Sequence, residues 1–322
     1  MPWLLRRGAD AVLTAVVAVV VLAVLVHLLP GDPLAIIIGD READPATRAA
    51  LAASWGTDRP LYAAVGHYLA ALGRGDFGIA MSENRPVATI LLERLWPTLL
   101  LGALTLLIDF TLGLALGLWS ALHPDRWRAR ILGGLTVIGY SLPSFVLGMV
   151  LVWLFALEFP WLPSAGLADQ SLPLDASIGV TVVDRLAHLA LPVATMVLAT
   201  IAVPFRQQRA AALATATQPW VLAARARGIT PAAIAWRHCW RPALTPIVTL
   251  LGLWLPMLVG GAVFVEMLFN WPGIGSLIAQ ATANRDIPLV LGAGVLLIVM
   301  VQLGSLLADL LYRVVDPAQR DR

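Results

Sequence analysis

The chain has 322 residues, of which 59% are hydrophobic and 13% charged, and its mean hydropathy is +0.81. This composition excludes an ordinary soluble domain and predicts a polytopic membrane protein. The formal net charge is +2, and the basic side chains are all arginines that concentrate beside hydrophobic stretches. That asymmetry indicates membrane orientation and argues against nucleic acid as a partner. The lone Cys239 excludes an internal disulfide, and its neighbour His238 lacks the further ligands of a metal site.

The first hydrophobic segment follows Arg6 and Arg7 and continues for about 20 apolar residues, which is long enough to span a bilayer. Its apolar core is too long for a secretory signal and lacks a small-x-small cleavage motif, so we predict a retained helix with a cytoplasmic N-terminus. Residues 31–94 then mix acidic and basic side chains. We predict that they form an extracytoplasmic insert with amphipathic helices at 44–55 and 62–72.

Five further spans are predicted, and the charge of the loops between them sets their orientation. The loop at 123–130 holds three arginines and is assigned to the cytoplasm, whereas 158–185 is mainly acidic and 266–288 has one base, so both are assigned outside. Six spans with both termini cytoplasmic satisfy every short loop. The predicted spans after the first are 95–122, 131–157, 187–204, 244–265 and 289–311. The predicted divisions are 1–94 for the first helix and insert, 95–316 for the core with a cytoplasmic loop at 205–242, and 317–322 for a cytoplasmic tail.

Several spans contain proline or glycine, and a bilayer tolerates such breaks only where protein or a watery cavity satisfies the freed backbone groups. Kinking for packing alone is the simpler interpretation, but so many breaks favour a translocation path over a passive scaffold. The residues assigned to that path are Asp109, Ser141, Pro143, Gly260 and Gly261. The glycines predicted to serve close helix contacts are Gly113, Gly117, Gly133 and Gly134.

The chemistry available within the spans is sparse. No GxxxxGK[ST] nucleotide loop occurs, so the energy for pumping must come from a partner or an ion gradient. Asp109 lies deep in a span, as the acid of an ion-coupled carrier does, although one acid capping a neighbouring helix would give the same pattern. Asp309 lies near a span end and is interpreted as structural. The five histidines fall at span ends or in loops, so we predict no intramembrane serine protease and no catalytic residue.

The loop at 205–242 is rich in arginine and contains no acidic residue. We predict a helix over 220–227, with Gly228 in the left-handed conformation that often ends a helix. Thr230 then caps a second helix that begins at Pro231. A helical turn of this kind between two hydrophobic spans predicts a contact site for a protein outside the membrane.

Several longer motifs strongly resemble one family, the inner-membrane permeases of ABC importers in the dipeptide, oligopeptide and nickel class. The motifs are VLAARARGITPAAIAWRHCWRPALTPIVTLLG, GGAVFVEMLFNWPGIGSLI, NRDIPLVLG and LLADLLYRVVDP, and HLLPGDP, GRGDFGIAMSENRPV and SLPSF fit the same pattern. The resemblance therefore covers nearly the whole chain. It implies an all-α polytopic protein of the bacterial inner membrane with a type I permease core.

The resemblance also implies a coupling element that docks on a cytoplasmic ATPase. Mapped onto this chain, the element comprises Ala223, Ala224, Arg225, Ala226, Arg227, Gly228 and Ile229. Ala224 and Gly228 are four residues apart on a helix, so we expect them to share a face small enough for a partner to approach closely. Pro242 departs from the asparagine usual at that point in the family.

The implied partners are a second, similar permease, two cytoplasmic ATPases that bind ATP and magnesium, and an extracytoplasmic solute-binding protein. This chain itself is expected to bind membrane lipid and no cofactor. For contact with the binding protein we expect Glu83, Pro272 and an exposed Trp271. The implied cargo is a short peptide, with a longer peptide, a glutathione-like thiol or a nickel chelate as alternatives, and an ion-coupled carrier using Asp109 is the alternative mechanism.

Overall fold

The computed structural model describes residues 2–27, 60–173, 175–234, 240 and 262–315. Within these ranges the chain is helical, and its only extended pairing is an isolated bridge between Ile79 and Pro86. The all-α prediction is confirmed. The predictions that lie outside the described residues concern the helix at 44–55, His238, Cys239, Pro242, Gly260, Gly261 and the tail at 317–322.

The helices vary from a single turn to ten turns. In chain order they are α1 (Pro2–His27), α2 (Leu61–Leu72), α3 (Val87–Leu122), α4 (Trp127–Ser141), α5 (Ser144–Val152, continued by a π-helical segment Trp153–Glu158), α6 (Ile178–Thr200), α7 (Ala202–Ala216), α8 (Pro219–Ala226), α9 (Pro231–Ile234), α10 (Val263–Leu268), α11 (Ile274–Ala283) and α12 (Ile287–Val315). The helix predicted at 62–72 corresponds to α2 and is confirmed.

Four helices are long and apolar enough to cross a membrane, and a bent pair brings the number to five. They lie at Arg7–Leu25, Val87–Leu122, Ile178–Thr200 and Ile287–Leu307, with Trp127–Ser141 and Ser144–Glu158 as the pair. Most of the span predicted at 244–265 falls outside the described residues. A multi-pass membrane protein is therefore confirmed, whereas the count of six and the cytoplasmic termini stay predictions.

The span predicted at 131–157 contains the break expected at Pro143, where the chain divides into two helices bent by 107°. The break follows from Pro143, since the proline ring disfavours helical geometry in the residue before it. Leu142 is accordingly extended, with φ −86° and ψ 139°. Both Ser141 and Pro143 are exposed at this bend, and the Ser141 hydroxyl donates to the Val137 carbonyl at 2.8 Å.

The described residues form two compact units, each with its own packing. In the unit of Met1–Trp96 and Gly273–Leu303, a backbone turn is bonded to the start of α12. The amide and hydroxyl of Ser82 donate to one carboxylate oxygen of Asp286, at 2.8 and 2.7 Å, and the other oxygen accepts from the Leu289 amide at 3.2 Å. Asp286 therefore caps α12 and holds the turn in place.

The second unit, Pro97–Pro272 with Gly304–Arg322, has an apolar core between α3, α6 and α10. Trp271 and Phe269, which follow α10, are each 1% exposed and complete this core. Its other buried members are Leu101, Leu189, Leu191, Val193, Met196, Ala262 and Val265.

Glycines bring helices of this second unit into close contact, but not all of the predicted ones. A Cβ on Gly113 would lie 3.0 Å from Pro204 Cγ, and one on Gly117 would lie 2.5 Å from the Phe205 carbonyl oxygen, so both sit against α7. Among the described residues nothing lies within 4 Å of a Cβ position on Gly133 or Gly134, so their predicted close contacts are not seen there. On α4 and α5 the glycines that lie in close contact with other residues are Gly139 and Gly148.

The predicted orientation can be tested with single cysteines at Arg128, Gln218 and Asp175. All three positions are exposed, so their reactivity reports the side of the membrane and not burial. We expect an impermeant thiol reagent to label Asp175→Cys in intact cells and to spare the other two until the membrane is permeabilised. Protection of Asp175→Cys together with labelling of Arg128→Cys would overturn the six-span topology.

Candidate functional site

The predicted cytoplasmic contact element folds as a capped helix pair. Helix α8 ends before Gly228, whose φ of +77° places it in the left-handed region. The Ile229 amide donates to the Ala224 carbonyl at 3.2 Å, which is the six-to-one bond of a Schellman motif. The Thr230 hydroxyl then accepts from the Ala233 amide at 3.4 Å and caps α9. The predicted helix, glycine stop and threonine cap are all confirmed.

One expectation about this element is wrong: Ala224 does not share an open face with Gly228. Ala224 is fully buried with Val221 and Ile234 in a small core to which Ile229 adds. Its small side chain therefore allows α8 and α9 of this chain to approach each other. Gly228 is exposed and has open space around a Cβ position.

The outward side of the helix pair combines apolar and cationic side chains. Leu222 and Trp220 are 52% and 42% exposed. The predicted coupling residues that are exposed beside them are Ala223, Ala226, Arg227 and Gly228. Exposed aromatic and aliphatic groups bordered by arginine are typical of a surface that another protein covers.

Helix α7 leads into this element and is packed tightly on α3. Phe205 and Gln208 are 1% and 0% exposed where α7 meets Gly117. Neither end of the Gln208 amide has a hydrogen-bond partner within the described chain. Only Thr217 and Gln218 separate α7 from α8, so the exposed helix pair is joined directly to a buried helix contact.

Asp109 is brought to the end of α6. It is completely buried, and the hydroxyl of Thr200, the last residue of α6, lies 2.6 Å from its Oδ2. The same hydroxyl lies 2.6 Å from the Met196 carbonyl oxygen. Within the described residues Asp109 Oδ1 has no partner. Asp109 thus lies between packed helices of this chain, at the end of α6. This position agrees with the alternative that the acid interacts with the end of a neighbouring helix.

Glu83 and Trp271, both predicted to contact a binding protein, differ in accessibility. Glu83 is exposed and forms an ion-pair network in which Arg85 contacts Glu83 at 3.2 Å and Glu93 at 2.5 Å. Hydrogen bonding and charge from Glu93, and then from Glu83, raise the pKa of the Arg85 guanidinium. Glu83 is therefore available to a partner.

The expectation that Trp271 is exposed is wrong. Its side chain is 1% exposed, and its indole Nε1–H donates to the Pro97 carbonyl at 3.0 Å. Its aromatic ring completes the apolar core, which explains why the side chain is buried although it lies in a loop. Pro272 is half-buried.

Two buried acids were not identified from the sequence. Glu266 is completely buried and accepts a hydrogen bond from Thr98 at 2.8 Å. The signal was available, since a lone acid inside GGAVFVEMLF needs a buried polar partner. Asp286 is likewise buried, and its position just before an apolar run is that of a helix N-cap.

Comparison with known proteins extends over the whole chain. Residues 113–321 match the family described as "Binding-protein-dependent transport system inner membrane component". The chain is 33% identical over 318 residues to the "Glutathione transport system permease protein GsiC" of Escherichia coli (strain K12), which covers 99% of this chain and 98% of that protein. The proteins of the same name from Salmonella typhi and Shigella dysenteriae serotype 1 (strain Sd197) match with the same identity and coverage.

Proposed function

Since this chain belongs to the inner membrane components of binding-protein-dependent transport systems, we propose that it is one of two permease subunits of an ATP-driven importer for short peptides. It is a permease of the ABC importer class and a multi-pass protein of the bacterial inner membrane. The proposed partners are a second, similar permease, two cytoplasmic ATPases and an extracytoplasmic solute-binding protein. ATP and magnesium are bound by the ATPases, and this chain supplies no cofactor site.

The proposed cargo class rests on the relatives. Those reported above are named as glutathione permeases, and glutathione is a tripeptide. A dipeptide, a longer peptide and a glutathione-like thiol share its peptide backbone, whereas a nickel chelate does not. We therefore place peptides ahead of metal chelates, and uptake measurements with each class separate them.

The observation that carries the coupling assignment is the capped helix pair at Gly228. A motif that must transmit force has to keep its own shape, and here the Schellman bond and the buried Val221 and Ala224 fix the angle between α8 and α9. Its exposed apolar and arginine surface supplies the contact area for an ATPase. The direct connection to α7, packed against Gly117, supports transmission of that contact into the membrane helices.

The remaining assignments follow the same topology. We propose the divisions 1–94, 95–316 and 317–322, with the loop at 205–242 in the cytoplasm. Glu83 and Pro272 belong to the face that meets the binding protein. The proposed translocation path, formed together with the second permease, includes Asp109, Ser141, Pro143, Gly260 and Gly261.

Uptake by the reconstituted importer tests this function. In proteoliposomes holding the permeases, the ATPases and the binding protein, we expect uptake of labelled glutathione or dipeptide to require ATP and to survive a protonophore. Uptake without ATP that collapses with the protonophore would instead support the ion-coupled alternative. Uptake of neither peptide class, with transport of a nickel chelate, would contradict the proposed cargo.

Asp109→Asn distinguishes the two mechanisms at a single residue. The amide oxygen of asparagine accepts the Thr200 hydroxyl as the carboxylate does, so we expect a stability loss of only about 1 kcal/mol. ATP-dependent uptake should therefore persist. An ion-coupled carrier needs the ionisable group and would lose transport in this variant while its thermal stability stayed near that of the wild type.

A further inference from the structure

The loop between α3 and α4 concentrates positive charge on an ordered backbone. Arg126, Arg128 and Arg130 are exposed, and none of them forms an ion pair with a carboxylate in the described part of the chain. Arg130 donates to the Asp125 carbonyl at 3.1 Å, while the Arg128 guanidinium lies 5.5 Å from the centre of the Trp127 ring. These contacts orient the arginines without neutralising them.

The backbone beneath these side chains is fixed. The Arg126 amide donates to the His123 carbonyl at 3.2 Å, and the Ala129 amide donates to the Arg126 carbonyl at 3.0 Å. Ala129 is 2% exposed and anchors the first turn of α4. The nearby titratable groups are His123, whose Nδ1 lies 3.0 Å from the Trp119 carbonyl oxygen, and the exposed Asp125. The loop at 123–130 therefore carries three arginines and a single aspartate.

An apolar stripe runs along α4 directly from this charged loop. Trp127, Ile131, Leu135 and Ile138 are 64%, 50%, 59% and 58% exposed, and their spacing places them on one side of the helix. Ala129 and Thr136, seven residues apart, lie on the opposite side and are buried, and Gly139 is also buried, against the Leu198 carbonyl. One side of α4 is thus packed within the chain and the other is open along several turns.

We propose that this surface, defined by Arg126, Trp127, Arg128 and Arg130 with the stripe Ile131, Leu135 and Ile138, binds an anionic phospholipid. The arginines would hold the headgroup phosphate, for which planar guanidinium groups are suited, and an acyl chain would lie along the stripe. Trp127 marks the level of the headgroups, where tryptophan is enriched in membrane proteins. The charged loop adjoins one end of the apolar stripe, just as the charged headgroup of a phospholipid adjoins its apolar acyl chains. This arrangement favours a lipid over a protein partner.

Native mass spectrometry of the full-length, delipidated chain tests the site with palmitoyl-oleoyl phosphatidylglycerol and its phosphatidylcholine counterpart. Each arginine near an anionic surface contributes roughly a fivefold gain in affinity. We expect Arg126→Gln, Arg128→Gln and Arg130→Gln together to weaken phosphatidylglycerol binding by at least about tenfold. Phosphatidylcholine, whose choline cation offsets the charge of its phosphate, should bind more weakly to the unchanged chain and lose much less in the variant.

The matched control combines Arg74→Gln, Arg206→Gln and Arg285→Gln, which remove the same charge from exposed arginines elsewhere. It should keep the phosphatidylglycerol preference, and inorganic phosphate should not displace the lipid. Equal losses in both triple variants, displacement by phosphate, or an unchanged preference in the loop variant would each overturn the proposal. Loss of a co-purifying second permease or ATPase with unchanged lipid binding would likewise assign the surface to a protein and overturn it.

Discussion

Gly228→Asp is expected to abolish ATP-dependent uptake and ATPase association while the chain still inserts into the membrane. Gly228 is exposed, and no described residue beyond its chain neighbours lies within 4 Å of a Cβ at this position. Within the chain the cost is limited to the left-handed backbone at φ +77° and the negative end of the α8 dipole, each about 1 kcal/mol or less. A carboxylate buried without a partner in an ATPase surface would cost several kcal/mol more.

Gly228→Asn is the matched control. Asparagine has nearly the shape of aspartate and also tolerates the left-handed region, so the two variants share the backbone strain and differ in charge. We expect Asn and Ala variants to retain most ATPase binding, measured by co-purification alongside uptake in proteoliposomes. Wild-type transport by both the Asp and the Asn variant would show that Gly228 merely ends an exposed helix.

Gly117→Ala is expected to destabilise the purified chain by about 1 to 3 kcal/mol, the usual cost of overpacking. The added methyl would lie 2.5 Å from the Phe205 carbonyl oxygen and 3.1 Å from Gln208 Cβ. A backbone carbonyl cannot move aside as a flexible side chain does, so α7 must shift. The gain in helix propensity from alanine, at most about 1 kcal/mol, should not offset this clash.

Gly133→Ala provides the comparison, because it makes the same substitution in a helix where the Cβ meets open space. We expect it to leave the unfolding transition unchanged or to raise it slightly. Thermal unfolding of both variants, followed by circular dichroism in detergent, measures the difference. Equal stability of the two would contradict the close contact assigned to Gly117.

Local signals in the sequence predicted the glycine stop and the threonine cap of the α8–α9 helix pair at single residues. Gly228 and Thr230 act through backbone conformation and short-range hydrogen bonds, so neighbouring residues are enough to identify them. The orientation of Ala224 depends on α9 folding back against α8, which helical spacing alone does not contain. Spacing therefore predicted that Ala224 and Gly228 shared a face, whereas tertiary packing buried one of them.

Long-range partners account for the other differences. Trp271 was expected at the surface because it lies in a loop assigned to the outside, but its indole bonds to Pro97, which is distant in sequence. Pro143 was recognised as a break, yet the bend of 107° depends on where each half of the helix packs. Among the glycines, composition could not separate Gly117 from Gly133, because only the approach of α7 makes one of them necessary.

The bond between Ser82 and Asp286 has a consequence for biogenesis. The two residues are 204 positions apart, so the ribosome makes the turn long before it makes the carboxylate that holds it. At about 5 to 20 residues per second, the delay is on the order of 10 to 40 s. During that time the turn lacks its long-range anchor, which leaves it more exposed to proteolysis. Synthesis of the start of α12 supplies the carboxylate and ends that exposure.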